Sequence, residues 1–289
     1  MMIFRFVLST KTLKILGLKS IITYTNVCDI VGWHSTWLYQ TTMMNELNRL
    51  KQTTWEIRLM KHTALVALAT VMIACSASSD THINKDITVA DGEVKTGSLR
   101  SVNGSINIGN EARVDGSCTT VNGEINVGEN SEVGEVSCVN GAITIDRNSK
   151  VSAISCVNGS IDLGGEVKIN GNVSTVNGEI RCKSEVQIAG DLETVNGDMK
   201  VTQTMIRGDV NTVNGDIALH EKSTVYGNII IDRDNKKPRS KEYKELVITI
   251  DGKSKVKGNI EVRGDEPNVT VILAGGGEVL GEIINAEVV

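Results

Sequence analysis

The tripeptide Val-Asn-Gly begins at Val102, Val121, Val139, Val157, Val176, Val195 and Val213, at spacings of 19, 18, 18, 19, 19 and 18 residues. Seven copies at a near-constant interval make this a repeat protein, and the period restricts the fold to stacked units. With each Val at position zero, the neighbouring positions fall into columns. Minus five holds Gly97, Gly116, Gly134, Ser152, Gly171, Gly190 and Gly208, and minus three holds Leu99, Cys118, Val136, Ile154, Val173, Leu192 and Val210. Minus one is Ser, Thr or Cys throughout. Plus four is Ile except for Met199, and plus six runs from Ile108 to Leu219 through Val127, Ile145, Leu163, Cys182 and Val201. A third apolar group precedes the glycine column from Gly116 to Gly227: Val114, Val133, Val151, Ile169, Ile188, Ile206 and Val225. Each unit therefore carries three short, alternating, β-branched segments.

Three short strands in 18–19 residues match one coil of an all-β, single-domain β-solenoid. Inward side chains then stack on those of the coils above and below, at about 4.8 Å. The Asn-Gly pairs are the expected corners: Asn103 and Gly104, Asn122 and Gly123, Asn140 and Gly141, Asn158 and Gly159, Asn177 and Gly178, Asn196 and Gly197, Asn214 and Gly215. Asn tolerates the left-handed conformation and Gly adopts it freely, so a left-handed, buried corner bridged by stacked Asn amides is expected. Asn-Gly is also a hairpin signal. A string of hairpins, however, puts glycine inside strands and gives no reason for identical columns in every unit.

The glycine column continues at Gly227, Gly258 and Gly281, at spacings of 31 and 23 residues. Those intervals contain one coil each plus insertions, the first being residues 232–245, expected as an exposed loop. An earlier coil is visible from Ile87 to Gly97. About ten coils result, in a solenoid domain spanning 85–289, with a rod length on the order of 50 Å.

The 289-residue chain changes character near Met60. Seven of its nine aromatic residues precede residue 60, whereas 26 of its 28 glycines follow it. From Met60 the chain reads MKHTALVALATVMIAC: a positive start, then an apolar run from Ala64 to Ala74 too short to span a bilayer. The ending Met72-Ile73-Ala74-Cys75 resembles the lipobox of bacterial lipoproteins, with Met where that family usually has Leu. The resemblance implies a signal peptide over 60–74 and lipidation at Cys75, which tethers the protein to a membrane through residues 75–84. An ordinary secretory signal is the alternative. A signal of this kind needs a free N-terminus, so residues 1–59 read as a mis-assigned extension, the alternative being a separate membrane-associated segment. Ser76, rather than Asp, follows the lipid-bearing position; the resemblance then implies the outer membrane of a Gram-negative cell.

The unit GDLETVNGDMKV, Gly190–Val201, resembles repeats of two bacterial solenoid families. One is the bactofilins, polymer-forming cytoskeletal proteins. The other comprises adhesin-like envelope proteins with TVNGDI-type units, which a lipoprotein signal suits better.

From Cys75 onward there are 22 Lys/Arg against 32 Asp/Glu, an acidic balance that argues against nucleic acid as a partner. Cys118, Cys138, Cys156 and Cys182 lie in inward columns and read as buried thiols, Cys138 and Cys156 stacking in one column. No metal-ligand spacing, cofactor motif or nucleophile–base pair is present in the sequence. From Cys75 onward the histidines are His82 and His220; His220 lies just past position plus six and is expected to be exposed. Glu124, Glu179, Asp198 and Asp216 share position plus three, as a solvated ridge or a weak cation site. The Val column either turns inward at the corner or lines the outside as an apolar stripe. The C-terminal stretch 283–289 is apolar and has no polar cap, which invites self-association through the solenoid ends.

The expectation is a non-enzymatic, lipid-anchored structural or adhesive scaffold of the cell envelope. The alternatives are a bactofilin-like polymer assembling end to end at a membrane and, behind it, a carbohydrate-active β-helix enzyme.

Overall fold

A computed structural model describes residues 80–233, 245–264 and 268–289. The expected extension 1–59, the signal over 60–74, Cys75 and most of the 232–245 insertion lie outside the described residues. What is described is a β-solenoid of about ten coils, all strand and turn. Every strand pairing is parallel and joins one coil to the next, which removes the hairpin alternative.

Each coil has three strands because the apolar residues alternate in three short runs separated by glycine-bearing corners. In one coil these are Lys168–Ile169, Val173–Asn177 and Ile180–Cys182. The third face stacks into an 11-stranded sheet. The other two join into a 19-stranded sheet because Glu132–Asn140 and Lys150–Asn158 run straight through the corner between them. Pairing follows the sequence columns: Ile143 on Ile125 and Ile161, Val173 on Ile154 and Leu192.

The core is the sum of these inward columns. Leu99, Ile106, Ile125, Ile143, Ile180 and Leu192 are fully buried. Burying one such side chain contributes about 1.5–3 kcal/mol. A further inward column was not read from the repeat. It contains Ala112, Ser131, Ser149, Val167, Val186, Thr204, Ser223 and Ser254, all buried. Ser131 Oγ donates to Gly109 O, and Ser149 Oγ to Gly128 O, each at 2.8 Å, so these hydroxyls are satisfied by the preceding coil.

Coil pairing begins at Asp80, within the span 75–84 read as a tether: Asp80–His82 lies in register on Leu99–Ser101. Gly227 and Gly258 continue the corner column, with Gly258 N donating to Gly227 O. The two ends of the stack differ. In the first coil, inward positions hold His82 on Ser101 and Lys95 on Val114. In the last, Val279 lies on Val256, Ile283 on Ile260 and Val288 on Val271, while Leu280, Ile284, Val288 and Val289 are exposed.

Candidate functional site

The Asn-Gly corner is the most repeated chemical feature. Its amides form one unbroken chain of hydrogen bonds. Asn103 Nδ2 donates to Asn84 Oδ1 at 2.6 Å, Asn122 to Asn103 at 2.8 Å, and Asn140 to Asn122 at 2.9 Å. Asn158, Asn177, Asn196 and Asn214 continue it at 2.9–3.0 Å. Asn84, outside the seven repeats, provides the first acceptor. The ladder ends at Asn214 because the next coil carries Arg233 and the insertion at that corner.

Two expectations about this corner are corrected. The Asn side chains are exposed, not buried. None of the seven Asn residues adopts a positive φ. The left-handed residues stand at the following corner instead: Glu111, Asn130, Asn148, Glu166, Glu185, Gln203 and Glu221. Only Gly141 and Gly215 of the corner glycines have a positive φ, 147° and 138°; what all the corners share is close approach. A Cβ on Gly178 would overlap Gly159 O and C, and one on Gly197 would overlap the same atoms of Gly178.

The minus-one column locks the corner from inside. Thr120 Oγ1 donates to Gly104 O at 2.9 Å, Thr175 Oγ1 to Gly159 O at 3.2 Å, and Cys138 Sγ reaches Gly123 O at 3.3 Å. Ser, Thr and Cys share this column because each is a small donor that fits beneath a corner carbonyl. The third corner has its own ladder, missed in the sequence reading. Asn172, Asp191, Asp209, Asn228 and Asn259 each offer Oδ1 to the backbone N–H of the next coil at 2.8–3.0 Å. The Gly-Asn and Gly-Asp pairs at minus five and minus four were its signal.

Val102, Val121 and Val139 keep strict strand alternation and face outward, so the chain does not break its pleat to turn them in. They are half-buried because each packs between its neighbours in the column. Val176 alone is buried.

Cys118, Cys138, Cys156 and Cys182 are buried free thiols. Burial pushes Cys118 and Cys182 up to about 12. Cys138 and Cys156 lie in register in adjacent coils, and their mutual hydrogen bond, with burial, pushes Cys138 up. Glu124, Glu179, Asp198 and Asp216 are not gathered as one site. Asp198 and Asp216 each accept a backbone N–H of the next coil at 2.9 Å, and Glu179 pairs with Arg181 and Lys200. Among the described residues no group of three or more His, Cys, Asp or Glu is arranged to hold a metal ion. His220 is half-buried, and its Nδ1 lies 2.9 Å from both carboxylate oxygens of Asp251. A cleft of about 490 Å³ at the C-terminal end is lined by Gly264, Asn268, Val269, Thr270, Asn285, Ala286 and Glu287, and among the described residues Glu287 is its one titratable side chain.

No family model, curated protein or solved structure matches the chain.

Proposed function

We propose that the protein is a non-enzymatic, lipid-anchored scaffold of the bacterial envelope, structural or adhesive, held by an acylated Cys75 on the outer membrane. The observation that carries this reading is how the repeated polar residues are used. The corner Asn column, the minus-one hydroxyls and thiols, and the Asx ladder of the third corner all bond from coil to coil. They reinforce a rigid presenting element and do not converge on a reacting centre. The apolar run ending in Cys75 supplies the anchor. The resemblance to adhesin-like envelope repeats agrees with both.

The test is metabolic labelling of the full chain with a fatty acid, followed by fractionation. Acylated, membrane-bound wild type and unlabelled, soluble Cys75→Ala are expected. Unlabelled wild type would overturn the anchor.

A second reading, end-to-end polymerisation as in bactofilins, is favoured by the exposed Leu280, Ile284, Val288 and Val289 on the last coil. An open strand edge beside apolar surface is a template for another chain. Light scattering of the full chain across a concentration series separates the readings. Growth with concentration that Ile284→Asp abolishes supports the polymer, whereas a constant size supports the single scaffold.

A further inference from the structure

Charges that stack in a solenoid column sit about 4.8 Å apart, so the sign sequence along a column has a direct energetic consequence. The ion pairs between coils here set opposite signs on one another: Arg113 with Glu132, Arg147 with Glu166, Arg181 with Asp162, Lys200 with Glu179, and Lys255 with Glu278. Lys150 stacks on Lys168, but Glu132 lies on the other side of Lys150.

Among the cations, one region breaks the pattern. Lys222 N donates to Gly252 O and Lys253 N to Gly275 O, which places Lys222 directly against Lys253, with Gly276 beyond. Both lysines have a left-handed backbone, φ 66°, at the same corner. Four residues further along, beyond the Thr224–Lys255 column, Arg207, Tyr226 and Lys257 follow one another in consecutive coils. Lys257 Nζ sits 3.8 Å from the centre of the Tyr226 ring, and Tyr226 is 43% exposed. Arg207, Lys222 and Lys253 are exposed and form no ion pair among the described residues. Acids also stand nearby: Glu221, beside Lys222 in the chain, Asp209, two residues from Arg207 and bonded to Asn228 N, Asp251, which holds His220, and Glu278, which holds Lys255. Besides the paired Lys255, four cations without an ion pair among the described residues are thus concentrated on three coils of a protein whose segment from Cys75 onward is acidic.

We propose that the strip Arg207, Lys222, Lys253 and Lys257, centred on Tyr226, binds a flexible polyanion carrying one phosphate per unit. Lysine is a point-charge phosphate binder. Two coil spacings and four residues of chain give a strip of roughly 10 by 13 Å, enough for two or three phosphates. Tyr226 keeps Lys257 upright through the cation–π contact and separates it from Arg207. A thin chain can lie along this strip without meeting the acidic remainder. A rigid duplex, with charge at each step, meets both. This site does not depend on whether the chain is lipidated.

The test is binding of fluorescent inorganic polyphosphate to the full chain, read by anisotropy at low and at physiological salt. Binding that weakens with salt is expected, together with at least a tenfold loss in Lys222→Gln/Lys253→Gln/Lys257→Gln. The control Lys150→Gln/Lys168→Gln/Lys200→Gln removes the same charge elsewhere and should bind as wild type. The corresponding triple Lys→Arg variant should retain binding, which separates charge from misfolding. Vesicles of anionic phospholipid in the same assay distinguish a headgroup source of phosphate from a soluble polymer, and strip-dependent binding of either supports the site. Equal losses in both Gln triples, no binding of either probe at low salt, or tighter binding of duplex DNA than of polyphosphate would overturn it.

Discussion

Asn177 Nδ2 donates to Asn158 Oδ1 at 2.9 Å across 19 residues of chain, and Asn177 Oδ1 accepts from Asn196 at 3.0 Å. One side chain therefore joins three coils.

Asn177→Leu removes both bonds at an exposed position. Water partly replaces them, so the cost is about 1–2 kcal/mol, or a melting temperature lower by roughly 3–6 °C in thermal circular dichroism. An unchanged melting temperature would show that the ladder adds nothing beyond solvent.

Gly178→Ala places a Cβ onto the Gly159 carbonyl, which is backbone and cannot rotate away. A loss of roughly 2–4 kcal/mol in denaturant unfolding is expected. Gly165→Ala is the comparison. Its Cβ would meet Ser184 O at 3.3 Å and nothing closer, so the cost there should be much smaller. Equal costs at the two sites would refute the close-approach explanation for the corner glycine.

Thr175 and Thr212 occupy the same column with opposite consequences. Thr175 Oγ1 bonds to Gly159 O at 3.2 Å, whereas Thr212 Oγ1 is buried without a hydrogen-bond partner among the described residues. Thr175→Val should destabilise by about 1 kcal/mol. Thr212→Val should be neutral or stabilise by a similar amount, because it relieves an unsatisfied hydroxyl. Chemical denaturation of the two variants side by side checks the sign.

Glu179 is desolvated, which works against its charge, but hydrogen bonds from Arg181 and Lys200 outweigh this and hold its carboxyl below the ordinary 4.5. A carboxylate depressed in the folded state adds stability above its unfolded pKa and loses it as pH falls through the folded value. Wild type should therefore melt above Glu179→Gln at pH 7, and the gap should close as pH drops below about 4. A gap that persists under strong acid would assign the effect to packing.

The period, the inward columns and the corner positions were legible because a parallel, in-register stack gives residues 18 or 19 apart the same environment. Ile125, Ile143 and Ile161 look alike in the sequence because each packs on the next. The polar details were less legible. The Asx ladder through Asp191 and Asp209 was hidden by its mixture of Asn and Asp, although both types offer the same oxygen. The buried column of Ser131, Ser149 and Ser223 was not singled out in the sequence, because its members differ in type and reach carbonyls 21 or 22 residues earlier in the chain as well as local ones.

The sequence by itself determined the architecture: seven Val-Asn-Gly units at one period, with three apolar columns, leave a stacked coil as the economical way to bury them. The tertiary structure alone decided what each corner does. It put the left-handed backbone at Asn130 and Asn148 and not at the corner Asn residues, left Val102 facing outward, and brought Lys222 onto Lys253 across 31 residues. The physical reason is that column membership is a property of spacing, whereas φ, facing direction and like-charge contact arise only when one coil's backbone is set against the next.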